Sequence, residues 1–66
     1  MITAKIEALK VSRIEQGWNC ADLARACGTN AATITRIEKG AATTPATAKR
    51  MADALGKTVT ELFGIK

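Results

Sequence analysis

A chain of 66 residues has room for one domain, spanning 1–66, and 47% hydrophobic with 24% charged residues excludes a disordered one. With one Trp, one Phe and no Tyr, its core has to be aliphatic, and so small a core calls for efficient packing or dimerisation. Ten Lys and Arg against six Asp and Glu give +4, a balance that suits nucleic acid as an acidic partner or simply keeps a small protein soluble.

No stretch alternates with period 2 for long, so helices dominate and the predicted class is all-α, with five short helices. The first is predicted from about Thr3 to Gln16, with Ile2, Ile6, Leu9 and Arg13 on one face and Gly17 as a left-handed stop. Asn19 stands where an N-cap is wanted, with Asp22 three residues on as a variant of the capping box. The second helix, Cys20 to Cys27, turns Leu23, Ala24 and Cys27 inward and closes at Gly28.

Asn30 caps a third helix, Ala31 to Lys39, in which Ile34 and Ile37 face in while Ala32, Thr35, Arg36 and Lys39 face out. Gly40 stops it, and a loop from Ala41 to Thr44 follows. Thr44 and Pro45 form an N-cap and N1 proline, opening a fourth helix to Leu55 with Ala48, Met51, Ala52 and Leu55 inside. Gly56 ends it. Thr58 to Glu61 is a full capping box for a short fifth helix that carries Leu62 and Phe63.

Several kinds of chemistry find no residues to carry them. The chain has no His, no phosphate-binding loop, no paired carboxylates in a Gly-rich setting and no zinc ligand set, so neither an enzyme nor a bound metal or cofactor is expected. Cys20 and Cys27 lie seven apart on a helix, roughly 10 Å by helical rise, too far for a disulfide. They read as reduced thiols, Cys27 in the core and Cys20 more exposed. No apolar run approaches the roughly 20 residues that span a membrane, and Met1 to Lys10 lacks the apolar stretch of a secretory signal, so a cytoplasmic protein is expected. Trp18 reads as a core or cap residue under a turn, since single-strand binding wants several exposed aromatics.

Two helices of about eight residues joined by a short Gly-containing turn form a helix-turn-helix, here at about 20–39. Gly28 permits the turn, Ala24 lets the helices cross closely, and Ile34 anchors the second helix while its opposite face stays free for a major groove about 12 Å wide.

The stretch Trp18 to Phe63, WNCADLARACGTNAATITRIEKGAATTPATAKRMADALGKTVTELF, resembles the Cro/CI-type helix-turn-helix family, also called lambda-repressor-like or XRE-type. DLA, CG, TIxRIEKG, the single Pro, ADALG and TELFG stand at that family's spacings, and the first helix fits too. The resemblance implies a compact five-helix fold and a sequence-specific regulator of transcription that acts on double-stranded DNA as a repressor. It implies a homodimer on a palindromic operator, in a prokaryotic or phage-infected cell with the protein at the nucleoid; no small-molecule ligand is evident from the residues.

Carried over residue by residue, it makes the third helix the recognition helix, with Ala31, Ala32, Thr35 and Arg36 reading bases. Arg36 suits a bidentate pair with guanine, Thr35 offers a hydroxyl or a methyl, and the two alanines offer only apolar contact, for instance to a thymine methyl. Many relatives carry Gln or Ser at those alanine positions, so here DNA shape is expected to share in the specificity. Asn19, Cys20, Asn30, Thr33, Lys39, Thr43 and Thr44 are implied phosphate contacts. Cys20 stands where relatives commonly have a backbone-contacting Gln, leaving the N–H groups of Cys20 and Ala21 to meet a phosphate. Arg13 and Glu38 correspond to a partly buried structural ion pair.

The implied dimer surface is Thr44, Thr47, Val59, Phe63 and Ile65. A complete chain ending after the fifth helix is Cro-like, whereas a piece of a larger repressor lacks an effector or protease-sensing domain. The competing reading is a protein-interaction module on the same fold, an antitoxin or adaptor, which the Ala-rich third helix keeps open.

Overall fold

The computed structural model describes residues 2–65 and contains five helices with a small antiparallel sheet. The chain opens with β1 (Ile2–Ala4) and continues through α1 (Ile6–Glu15), α2 (Cys20–Cys27), α3 (Ala31–Glu38), β2 (Ala42–Thr43), α4 (Pro45–Leu55), α5 (Val59–Leu62) and β3 (Phe63–Ile65).

Four helix starts are set by side chains that accept the orphan amide hydrogens of a first turn. Asn19 and Thr58 each form a complete capping box, with Asp22 and Glu61 reaching back to the cap's own N–H. Asn30 accepts from Thr33 N, and Thr44 accepts from Thr47 N immediately before the N1 proline. At the other end of α2, Gly28 sits at φ 74° in the left-handed region, with open space around its Cα. The requirement there is backbone conformation and not room, and it lets the chain double back into α3.

The first helix does not begin at Thr3. Ile2, Thr3 and Ala4 are extended, and α1 starts after Lys5, which offers no capping side chain. Nor is the segment after Gly40 only a loop, since Ala42 and Thr43 pair with β1. The sheet order is β2-β1-β3, with Ile2 opposite both Thr43 and Ile65, and Thr3 opposite both Ala42 and Gly64. The five-helix architecture thus carries a three-stranded tie between its first residues, its middle and its end.

The core is aliphatic apart from Phe63. Leu9, Leu23, Ile34, Met51, Leu62 and Phe63 are fully buried, and Ala24, Ala48 and Ala52 are buried with them. Their small side chains let α2 and α4 pack directly against each other, leaving the larger residues to interlock. Full burial of each Leu or Ile stabilises the fold by about 1.5–3 kcal/mol. Ile2 joins this core from the strand, Trp18 packs on its edge, and Cys27 is buried while Cys20 is half-buried. Both thiols are free. Among the described residues no helix is long and apolar enough to cross a membrane.

Candidate nucleic-acid interface

The pair α2 and α3 is joined by only Gly28, Thr29 and Asn30. Thr29 N donates to Ala24 O at 2.9 Å, which ties the turn to α2, while Asn30 Oδ1 accepts from Thr33 N at 2.9 Å and from the Thr33 hydroxyl at 3.0 Å. A turn bonded on both sides fixes the angle between the helices without a large side chain. Ile34 and Ile37 are buried beneath α3, and its outer face carries the exposed side chains of Ala32, Thr35 and Arg36, with Lys39 at the C-cap. Positions 32, 35, 36 and 39 recur at helical spacing, so they form one stripe. Ala31 and Thr33 flank it half-buried.

The polar groups of this stripe are partly committed. Thr35 Oγ1 donates to Ala31 O at 2.9 Å, so its proton is used within the helix and its methyl is the group without a hydrogen-bonding role. Arg36 Nη2 reaches Thr33 Oγ1 at 3.5 Å, a long contact that leaves the guanidinium free to move. On the outer face of α3, therefore, Arg36 and Lys39 are the long donors, set among methyl groups.

At the start of α2, Asn19 uses its side-chain oxygen to accept from Asp22 N at 2.9 Å, leaving its amide nitrogen as the side-chain donor. Cys20 occupies the first helical position, half-buried, where it and Ala21 carry amides that no earlier turn of the helix can accept. Asn30 is placed in the same way at the start of α3, its oxygen occupied and its nitrogen available. On the far side of α3, Thr43 is half-buried in β2 and Thr44 is exposed. The Thr44 hydroxyl donates to Thr47 Oγ1 at 3.1 Å, so the donor of that pair able to turn outward is the Thr47 hydroxyl.

The charges near this surface are arranged to favour an anion. Asp22 is ion-paired with Arg25, and Glu38 with Arg13, so the acidic groups beside the interface are compensated. Among the described residues neither Arg36 nor Lys39 takes part in an ion pair. Arg13 Nε donates to Glu38 Oε2 at 2.8 Å, Nη2 to Glu38 Oε1 at 3.2 Å, and Nη1 to the Trp18 carbonyl at 2.9 Å. The hydrogen bond to Glu38 raises the Arg13 pKa above the ordinary arginine value despite burial, so the cation is permanent. This cluster links α1, the segment before α2 and the end of α3.

The helix-turn-helix family model of the XRE, Cro/CI-like type matches residues 9–62. The chain belongs to that family. No curated protein and no solved structure gives a significant match. Membership makes this helix-turn-helix protein a DNA-binding regulator of the XRE type whose partner is double-stranded DNA, in a family whose role is regulatory and not enzymatic.

One expected surface residue is misplaced. The resemblance puts Phe63 on the dimer surface, yet its side chain is 1% exposed and belongs to the core, because the chain turns extended after Leu62 and swings the ring inward. Val59 is half-buried against the same core, Thr47 is half-exposed, and the side chain of Ile65 lies outside the described residues. What the sequence did not reveal is the engaged state of the Thr35 and Thr44 hydroxyls and the attachment of Ala42 and Thr43 to β1. A signal for the latter existed in Ile2-Thr3, two β-branched residues followed by no helix cap, but it is too short to show a period.

Proposed function

We propose that this helix-turn-helix protein is a repressor that binds a two-fold symmetric operator as a homodimer, with α3 lying in the major groove. Ala31, Ala32, Thr35 and Arg36 read base edges, with Arg36 as the guanine-reading donor and the others as apolar contacts. Asn19, Cys20, Asn30, Thr33, Lys39, Thr43 and Thr44 meet phosphates, with backbone amides serving at Cys20 and the Thr44–Thr47 hydroxyl pair acting as one donor unit. Arg13 and Glu38 hold α1 to α3 and do not touch DNA. The two copies meet through the region of Thr44, Thr47, Val59 and Ile65, without the Phe63 ring. The setting is the nucleoid of a prokaryotic or phage-infected cell.

The observation that carries this reading is the stripe on α3: two buried isoleucines fix the helix, and the opposite face presents Ala32, Thr35, Arg36 and Lys39, whose cations take part in no ion pair among the described residues. A single α3 offers few base contacts, which favours two copies on half-sites one helical turn apart. The test is a salt titration of binding to a labelled duplex. Released counterions predict a loss of about tenfold or more between about 50 and 200 mM salt. Affinity that does not respond to salt contradicts the reading and points to an apolar protein partner.

A further inference from the structure

We propose that the N-terminal strand is a positioning element for DNA binding. Ile2 and Thr3 of β1, by pairing with Thr43 and Ala42, hold the α3–α4 connection in the shape that presents Lys39, Thr43 and Thr44 to the phosphate backbone. The inference rests on the DNA-contact reading given above and adds to it a residue, Thr3, that touches no DNA.

The connection is tied at its two ends by its own bonds. Gly40 N donates to Ile37 O at 3.0 Å and Ala41 N to Arg36 O at 3.0 Å, fixing its start, and the Thr44 cap fixes its end. Between them Ala41 and Ala42 are exposed and Thr43 is only half-buried, so side-chain packing contributes little there. A two-residue strand does not persist alone. What holds it is the pairing of Ala42 with Thr3 and of Thr43 with Ile2.

The strand that does the holding is itself anchored on every side. Ile2 is in the core, β3 pairs along the opposite edge of β1, and Lys5 N donates to Leu62 O at 2.8 Å. Lys5 Nζ adds a bond to Thr60 O at 2.9 Å. The central strand therefore transmits the rigidity of the α5–β3 end to a segment that would otherwise have to be ordered at the moment of binding, and ordering a loop on binding weakens affinity.

The experiment compares Thr3→Val, Thr3→Gly and Thr3→Pro with the unaltered chain. Lys5 N bonds Leu62 O, so the Thr3 N–H two residues earlier faces Gly64 of β3. Proline there detaches β1 from the strand that anchors it and glycine loosens β1, whereas valine keeps its preference for an extended backbone. Circular dichroism monitors the helices, and hydrogen exchange monitors the Thr43 amide, which faces Ile2 across the β1–β2 pair. Affinity is read on a specific and on a random duplex, with phosphate ethylation interference on the specific one.

The expected result has Thr3→Val binding as the unaltered chain does. Thr3→Pro binds every duplex about tenfold more weakly at unchanged helix content, loses the interference signal of one backbone segment and keeps its site preference. Thr3→Gly falls between, and it carries the test should Thr3→Pro not fold. A Thr3→Gly or Thr3→Pro protein whose Thr43 amide exchanges freely, yet which binds as tightly as the unaltered chain, overturns the positioning role alone. An unaltered chain that binds no duplex overturns both this role and the reading beneath it.

Discussion

Arg13 on α1 and Glu38 at the end of α3 meet at two points, Nε to Oε2 at 2.8 Å and Nη2 to Oε1 at 3.2 Å, with side chains only 14% and 7% exposed. The third edge of the guanidinium bonds the Trp18 carbonyl, so one arginine fastens α1 to the end of α3 and to the segment that leads into α2. Removing either partner leaves a charge in a poorly hydrated place. Glu38→Ala or Arg13→Ala is expected to cost about 3 kcal/mol. That is a large share of the about 3–10 kcal/mol typical of so small a domain. The double replacement Arg13→Met with Glu38→Leu should recover most of the loss, because desolvating the pair offsets much of its attraction. Urea denaturation of the four proteins checks this, and single variants within about 0.5 kcal/mol of the parent would contradict it.

Arg36 and Lys39 share a face but are expected to fail differently. Arg36 makes only the long 3.5 Å contact to Thr33, so Arg36→Ala should leave stability nearly intact. It should cost about 1–3 kcal/mol of binding and relax the preference at one base position. Lys39→Ala should weaken all duplexes alike and lower the salt slope by about one. Binding curves on a panel of single-base variants separate the two. An unchanged base preference for Arg36→Ala would remove it from base reading.

The commitment of the Thr35 hydroxyl to Ala31 O leaves methyl groups as the main surface beside Arg36. Thymine 5-methyl groups are the matching feature of the major groove. Replacing the thymines of a half-site by uracil should therefore weaken binding by about 0.8 kcal/mol for each methyl in contact. Thr35→Val, which keeps a methyl and loses the hydroxyl, should bind about as well as the parent. Uracil-containing duplexes bound at full strength would show that the alanines and Thr35 are spacers.

Acid should act on α5. The backbone N–H of Thr58, then its hydroxyl, hold the Glu61 carboxyl below the ordinary glutamate range. A depressed folded pKa means that the carboxylate contributes stability above the unfolded value, about 4.3. That contribution fades as pH falls through the lower folded value. Glu61→Gln should therefore melt below the parent near neutral pH, with the gap closing in acid. Melting curves from pH 7 to about 2 test the sign, and a gap that widens in acid contradicts it.

The boundaries of α2, α3 and α4 were legible within a residue because their signals are local. A capping oxygen acts on an amide three residues away, and a left-handed glycine acts on its own turn. The sheet was not legible for the opposite reason. Its strands are two or three residues long and pair across the whole chain, Ile2 with Thr43 and Ile65. Ile2 also lies four before Ile6, which mimics a helical stripe running on to Leu9 and Arg13. In the candidate interface, exposure followed from periodicity, since the partners of Ile34 and Ile37 had to point away. Phe63 escaped because the turn after Leu62, which buries the ring, carries no residue whose chemistry demands it.

The central claim is that α3 reads a two-fold operator in double-stranded DNA. The most direct test is selection from a random duplex pool at about 100 mM salt, followed by sequencing. An inverted repeat with half-sites about ten base pairs apart should be enriched, with one position of the motif lost when Arg36→Ala is selected in parallel. A pool that emerges unenriched, or a motif identical for the parent and Arg36→Ala, would contradict it.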